Sequence, residues 1–304
     1  MSVFISQQIS VEQINDPAFK TIMVLGGSDT GKTSLIEALI KMLLGHNRVG
    51  VVDCDVGQSH IGPPGTIAWG LIHNTFDGWE SIPVRDFYFI GALSPAENTT
   101  SSLVGLKIIY DKAKDQADKI IIDTTGFIEK AGVTLKEHQI ELIQPDIIIA
   151  LQKERELEPI LESFKAMDKP LIFRIKVEGN MNSKTGENRV SFRQQKFSEY
   201  FNVLNRLELN LKSTGIRSSN GSNHLGINPG HEAVDTQPLK QKQELTNRLV
   251  SLRNEKGQDI ALGLIDTIDH NNQKMIVFSP LDDEKLVKTV VVGTIKVLLS
   301  KETV

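Results

Sequence analysis

Through the first two thirds of the chain, short apolar runs alternate with stretches whose apolar residues recur at three- and four-residue spacing. The runs at 22–25, 49–53, 87–90, 119–123, 147–151 and 171–175 read as strands, and the periodic stretches at 34–44, 103–117, 135–143 and 157–166 as helices. Nearly continuous apolar strands, several of them followed by a helix, predict an α/β fold with a doubly wound, mainly parallel sheet. The pattern then changes. Residues 213–236 are rich in Ser, Gly and Asn and predict a flexible loop. Beyond it, short β-type runs at 249–252, 260–266, 274–278 and 290–299 are separated by turn residues such as Asn254-Glu255-Lys256-Gly257 and Asp269-His270-Asn271-Asn272. The expected division is an N-terminal segment over 1–20, an α/β domain over 21–203 and a smaller β-rich domain over 204–304.

Two loops carry the chemistry. Gly26-Gly27-Ser28-Asp29-Thr30-Gly31-Lys32-Thr33 follows the first strand, and Ser34 opens the first helix. Strand, glycine loop and helix together make a phosphate-binding P-loop. Gly26 and Gly31 let backbone N–H groups turn inward on anionic oxygens, the helix N-terminus adds positive potential, Lys32 reaches the outer phosphates, and the Thr33 hydroxyl can ligate Mg²⁺. The second loop, Asp53-Cys54-Asp55-Val56-Gly57-Gln58, ends the next strand and sets two carboxylates beside the first. Asp123, closing the run Ile120-Ile121-Ile122, takes the usual place of a Mg²⁺-organising acid, and Thr124-Thr125-Gly126 forms a turn facing the terminal phosphate. These parts predict phosphoryl transfer on a P-loop NTPase fold. Asp55 is then the candidate base for an attacking hydroxyl and Asp53 the candidate for the metal and its waters, two roles that can be exchanged on sequence alone.

Composition narrows the setting. The chain has 304 residues, 39% of them hydrophobic, and no apolar run approaches the ~20 residues that cross a bilayer, so no membrane span is expected. Residues 1–16 lack the basic start and apolar centre of an export signal, which predicts a cytoplasmic protein. The single cysteine, Cys54, lies between two aspartates that disfavour a thiolate and reads as a strand-end residue, not a nucleophile. A net charge of −4 excludes an indiscriminate nucleic-acid coat protein but allows local basic sites. One is the stretch holding Lys184, Arg189, Arg193, Lys196, Arg206, Lys212 and Arg217, in which Arg189, Arg193, Lys196 and Tyr200 fall along one helix face. The seven histidines are scattered, and no metal site made of protein ligands alone is expected.

The run Asp53-Cys54-Asp55-Val56-Gly57-Gln58-Ser59-His60-Ile61-Gly62-Pro63-Pro64 resembles the signature of the polyribonucleotide 5′-hydroxyl kinase family, which includes the pre-mRNA cleavage-complex kinase subunit and the ribosomal-RNA-processing kinases. The similarity continues through Gly91, Ser94-Pro95, Asn98, Asp123-Thr124-Thr125-Gly126-Phe127, Pro145-Asp146, Glu154-Arg155 and the run from Arg189 to Phe201, then Ala261-Leu262-Gly263, Ser279-Pro280-Leu281 and Gly293. The resemblance implies an ATP- and Mg²⁺-dependent kinase acting on the 5′-hydroxyl end of RNA or DNA, with RNA-processing proteins as further partners. Gly26, Gly27, Ser28, Asp29, Thr30, Gly31, Lys32, Thr33 and Ser34 would hold the nucleotide, and Thr33, Asp53 and Asp123 the metal. Asp55 would activate the hydroxyl, with Lys32, Arg189 and Arg193 as the other catalytic groups, the two arginines on a lid around 184–201. Gln58, Ser94, Asn98, Thr125 and Phe127 would form the substrate side, Phe127 standing where many relatives have tryptophan. The lid carries Gln194 and Gln195 where relatives are often charged, and only about twenty residues precede the first strand, where eukaryotic relatives have an additional β domain.

Two other classes stay open. A GTPase-type switch shares the Asp-Thr-Thr-Gly turn, though the chain has no Asn-Lys-x-Asp guanine-reading motif; GTP thus stands beside ATP as a possible nucleotide. A scaffold that binds ATP without turnover is the other, against which Lys32, Asp55, Arg189 and Arg193 are all intact.

Overall fold

A computed structural model describes residues 11–177, 186–221 and 245–298. The chain folds as two compact units, the first comprising 1–62, 66–88 and 102–188 and the second 63–65, 89–101 and 189–304, so the division is not a single cut in the sequence.

The first unit contains strands β1 (Thr21–Gly26), β2 (Val49–Asp53), β3 (Thr66–Ile72), β4 (Val84–Phe89), β5 (Lys119–Asp123), β6 (Ile147–Gln152) and β7 (Leu171–Lys176) in the sheet order β4-β3-β2-β5-β1-β6-β7. From β2 to β7 all neighbours are parallel. β1, β2, β5 and β6 are buried at every position, which is why they read as unbroken apolar runs. The antiparallel strand β3 was not expected. Its run is interrupted by Gly70, which weakens a strand reading, but a Cβ there would lie 2.3 Å from Ile82 Cγ2.

Helices α1 (Val11–Asn15), α2 (Lys32–Leu43), α3 (Thr99–Lys114), α4 (Ala131–Ile143) and α5 (Glu158–Leu161) accompany this sheet. Leu35, Ile36, Leu39, Ile40 and Leu43 of α2 pack with Ile22, Val24, Val49, Val51, Ile121, Ile147 and Ile149 in one core, anchoring the helix that the P-loop opens. α3 and α4 begin four residues before the expected 103 and 135, because their first turns are polar or small and carry no apolar period. The expected helix over 157–166 is α5 followed by a 3₁₀ turn, Glu162–Phe164.

The second unit is a six-stranded sheet of β8 (Asn205–Asn210), β9 (Gly215–Ser218), β10 (Arg248–Arg253), β11 (Asp259–Asp269), β12 (Lys274–Ser279) and β13 (Thr289–Lys296), in the order β8-β12-β11-β10-β13-β9. All pairs are antiparallel except β13 with β9. Leu207, Leu209, Val250, Leu252, Ile265, Val277, Val290 and Val292 form its core. Neither β8 nor β9 was expected. β8 alternates buried Leu207 and Leu209 with exposed Arg206 and Glu208, a two-residue period short enough to pass unnoticed. β9 occupies part of the predicted flexible loop over 213–236; residues 222–236 of that loop, and Lys184 of the basic stretch, lie outside the described residues. The remaining helix, α6 (Gly186–Tyr200), carries the arginines of the expected lid.

Candidate active site

Gly31 caps α2 in the left-handed conformation (φ 90°) with no side-chain cap, so the first amides of the helix remain available to an anion. Asp29 is also left-handed (φ 56°), and between them Thr30 Oγ1 donates to Gly27 O at 2.9 Å. Lys32 Nζ donates to Gly26 O (3.0 Å) and Gly27 O (2.7 Å), holding its ammonium across its own loop. A Cβ on Gly26 would lie 2.5 Å from Thr30 Oγ1 and 3.1 Å from Leu151 O, so only glycine lets the loop turn there. Thr33 is half-buried and Ser34 exposed at the start of α2.

Next to this loop, β2 and β5 end in register at Asp53 and Asp123. Asp53 is fully buried. Its Oδ1 accepts from the Asp55 N–H (2.9 Å), and its Oδ2 from the His60 N–H (2.6 Å), the Ile61 N–H (2.9 Å) and Ser59 Oγ (3.3 Å). Burial nevertheless pushes its carboxyl up to about 7, helped by the nearby Asp55 charge and opposed by those amides. Asp123 is held well above the usual carboxylate range by burial and then by Asp53, and its buried Oδ1 has no hydrogen-bond partner among the described residues. Cys54, between the acids, is buried, and burial raises its thiol well above the ordinary value, in keeping with a strand-end role.

Asp55 is the more open acid. Its Oδ1 accepts from the Gly57 N–H (3.2 Å) and the Gln58 N–H (3.1 Å), closing the turn in which Gln58 sits half-buried, while Oδ2 has no partner among the described residues. The turn after β5 is fixed from both sides. Thr124 Oγ1 donates to Val24 O at 2.7 Å, and Gly126 lies so close to the P-loop that a Cβ there would be 2.5 Å from Ser28 Oγ and 2.6 Å from Ser28 N. Phe127, next in sequence, is half-buried, and a Cβ on Gly132 would lie 3.1 Å from its ring.

The P-loop, Asp53, Asp55, Gln58, Asp123, Thr125 and Phe127 all belong to the first unit; Ser94, Asn98, Arg189 and Arg193 belong to the second. Ser94 Oγ accepts from the Ala96 N–H (3.3 Å), capping the 3₁₀ turn Pro95–Glu97. Asn98, expected on the substrate side, is tied into its own unit. Its Nδ2 donates to Ile90 O (3.1 Å) and Ser219 O (2.8 Å), and its Oδ1 accepts from the Ser101 N–H (3.2 Å) at the start of α3. The amide thus shapes the segment. Arg189 and Arg193 are half-buried one turn apart on α6.

Two side chains that sequence reasoning missed complete the acid cluster. Lys136 and Gln139 of α4 are buried on the face that also buries Leu135, Ile140 and Ile143. Lys136 Nζ donates to Thr125 Oγ1 (3.2 Å) and Gln139 Oε1 (3.3 Å), and burial lowers its ammonium to about 7. The only signal in the sequence was two polar residues at apolar positions of a helix.

These residues fit a nucleotide with a divalent cation. Asp123 Oδ1, beside a second buried acid, has no hydrogen-bond partner among the described residues, and those residues contain no cluster of three or more acidic, His or Cys ligands that would hold a cation unaided. A cation there would take its remaining ligands from a hydroxyl such as Thr33, phosphate and water, as Mg²⁺ does.

Residues 26–203 match the family model described as mRNA cleavage and polyadenylation factor CLP1 P-loop. This chain belongs to the CLP1 P-loop family. Among relatives, it is similar to the polyribonucleotide 5′-hydroxyl-kinase of Methanocaldococcus jannaschii, with 32% identity over 91% of this chain and 86% of the relative. The polyribonucleotide 5′-hydroxyl-kinase of Pyrococcus furiosus is 30% identical over 91% of this chain and 87% of its own length. The fold matches that of a Clp1p chain solved in complex with Pcf11p, at a TM-score of 0.75 and 17% identity, covering 99% of this chain and 80% of that one. Membership of the CLP1 P-loop family implies the use of a nucleotide. No helix among the described residues is long and apolar enough to cross a membrane.

Proposed function

We propose that this chain is a polynucleotide kinase that transfers the γ-phosphate of ATP, with Mg²⁺, to the 5′-hydroxyl end of RNA. The observation that carries the reading is the trio of strand-end acids beside the P-loop: Asp53 and Asp123 in register and buried, and Asp55 with an open Oδ2. A switch has no use for the third acid; a transferase needs one to receive a proton. The names of the archaeal relatives favour the same chemistry.

On this reading each group has a role. Lys32 and the amides at the start of α2 hold the phosphates, and Thr33 with Asp53 and Asp123 holds Mg²⁺, which when bound neutralises charge on the phosphates. Asp55 Oδ2 accepts the proton of the 5′-hydroxyl as its oxygen bonds to the γ-phosphorus and the bond to the ADP oxygen breaks; positioned bases contribute ~10²–10⁴ in rate. Arg189 and Arg193 close over the phosphoryl group as a lid. Gln58, Ser94, Asn98 and Thr125 form the substrate side, with Asn98 helping to fix the 5′ end and Thr125 facing the terminal phosphate. Phe127 stacks on the terminal base, a contact worth ~1–3 kcal/mol in general. Action in the cytoplasm on RNA, alone or with RNA-processing proteins, completes the proposal.

The test is transfer of labelled γ-phosphate from ATP, and separately GTP, to 5′-hydroxyl RNA and DNA oligonucleotides, with Lys32→Ala and Asp55→Asn as controls. Label on RNA that disappears in both variants, with ATP still bound by Asp55→Asn, is the expected result. Nucleotide binding without any labelled product would leave a switch or a scaffold.

A further inference from the structure

Lys136 has no exposure to solvent, and a buried ammonium is ordinarily matched by a carboxylate. Among the described residues Lys136 has no ion pair; its Nζ donates to the neutral oxygens of Thr125 and Gln139. Charged and titratable groups face it from three other elements: Cys54 and Asp55 after β2, Lys32 at the start of α2 and Asp123 at the end of β5.

The bond to Thr125 has a directional consequence. In its charged form Lys136 can only donate, so Thr125 Oγ1 then accepts, and the hydroxyl hydrogen is left for a different acceptor. No described residue provides one. Thr125 itself is held in the turn whose Gly126 packs against Ser28 of the P-loop, which places the turn at the phosphate site. We propose that Lys136 is a positioning residue that sets the Thr125 hydroxyl as a hydrogen-bond donor to an oxygen of the terminal phosphate. The proposal rests on the P-loop holding a nucleoside triphosphate and deepens the kinase reading.

The primary measurement is the affinity of the full chain for ATP and for ADP by calorimetry, in wild type, Thr125→Val, Lys136→Met and the double variant. A hydrogen bond to a charged oxygen favours ATP over ADP by roughly tenfold. Thr125→Val and Lys136→Met are each expected to reduce the ATP-to-ADP affinity ratio by roughly that factor with ADP affinity unchanged, and the double variant to be no worse than Thr125→Val. Thr125→Ser and Lys136→Gln, which restore the hydroxyl and a donor, are expected to recover most of the ratio, and Lys136→Gln serves if the methionine variant does not fold. Equal losses for ATP and ADP, an unchanged ratio, or additive losses in the double variant would each overturn the proposal. Transfer to RNA measured in parallel separates the two readings: a wild type that transfers nothing sinks the kinase assignment, whereas the affinity ratio alone decides the role of Lys136.

Discussion

Replacing Gly126 with alanine would press the turn after β5 into the P-loop. The new Cβ would stand 2.5 Å from Ser28 Oγ, 2.6 Å from Ser28 N and 2.9 Å from Ser28 Cα. Carbon atoms in comfortable contact lie about 3.5–4.0 Å apart, so the overlap is about 1 Å. Rotating Ser28 relieves only the hydroxyl; the amide and Cα move only if the loop moves. That loop is tied by Thr30 to Gly27 O and by Lys32 to Gly26 O and Gly27 O. Overpacking of this kind costs ~1–3 kcal/mol. Taken up by the phosphate-binding amides, it corresponds to roughly 5- to 150-fold weaker ATP binding. Calorimetric titration of ATP into Gly126→Ala, with thermal melts of both proteins, measures the effect. Gly186→Ala, where an added Cβ meets nothing within 4 Å, is the control and should bind ATP as wild type does. Wild-type affinity and melting in Gly126→Ala would refute the reasoning, and a lowered melting temperature at unchanged affinity would mean that the turn, not the loop, gives way.

Asp123→Asn should abolish transfer yet stabilise the nucleotide-free protein, because it removes a buried carboxylate whose Oδ1 has no hydrogen-bond partner among the described residues. A buried acid whose carboxyl is raised lends full stability below the ordinary pKa and loses it as pH rises through the folded value; the advantage of Asn is therefore largest at pH 8 and fades toward pH 4. A rise of a few degrees in melting temperature corresponds to ~1 kcal/mol, and a fall at pH 8 would contradict the charge argument. Arg193→Ala should lower kcat by at least ~10², within the range of arginines that stabilise transferring phosphate, while ATP affinity changes only a few-fold; parallel losses in both would instead mark a ground-state contact. In the β-rich unit, Asp259 accepts from Arg253 Nε (2.7 Å) and Nη2 (3.0 Å) and from the Phe89 N–H (3.1 Å), so Asp259→Ala takes a carboxylate and its two charge-assisted hydrogen bonds away from a buried guanidinium. Urea denaturation should show a loss of ~3–5 kcal/mol, and a loss under ~1 would show the pair to be dispensable.

The P-loop and the strand-end acids were readable because each demands residue types that few other settings tolerate together: glycines at Gly26 and Gly31, a lysine and a threonine at the helix start, aspartates closing fully apolar strands. β1, β2, β5 and β6 were legible for a related reason, since burial at every position makes them nearly unbroken apolar runs. β3 was hidden by a glycine whose necessity depends on Ile82, a tertiary neighbour. Nothing near Asn98 in sequence shows that Ser219 will come to its amide. Lys136 was invisible because a lysine signals solvent in any local reading; only the packing of α4 shows that it is buried.

The second unit is assembled from three separate stretches of chain, 63–65, 89–101 and 189–304, interleaved with the first. Its inner segments are no mere passage. Gly65 O accepts from the Ile90 N–H (2.9 Å), Gly91 O from the Thr294 N–H (2.7 Å), and Asn98 reaches Ser219 O. Proteins built from end-to-end cassettes can be shuffled by recombination or trimmed to a single working piece. This one cannot. A crossover after 188 would deliver a β-rich half without the strands of chain its edge residues bond to, and would strand those segments inside a partner that has no use for them. Cutting the chain there therefore takes backbone partners away from the β-rich unit.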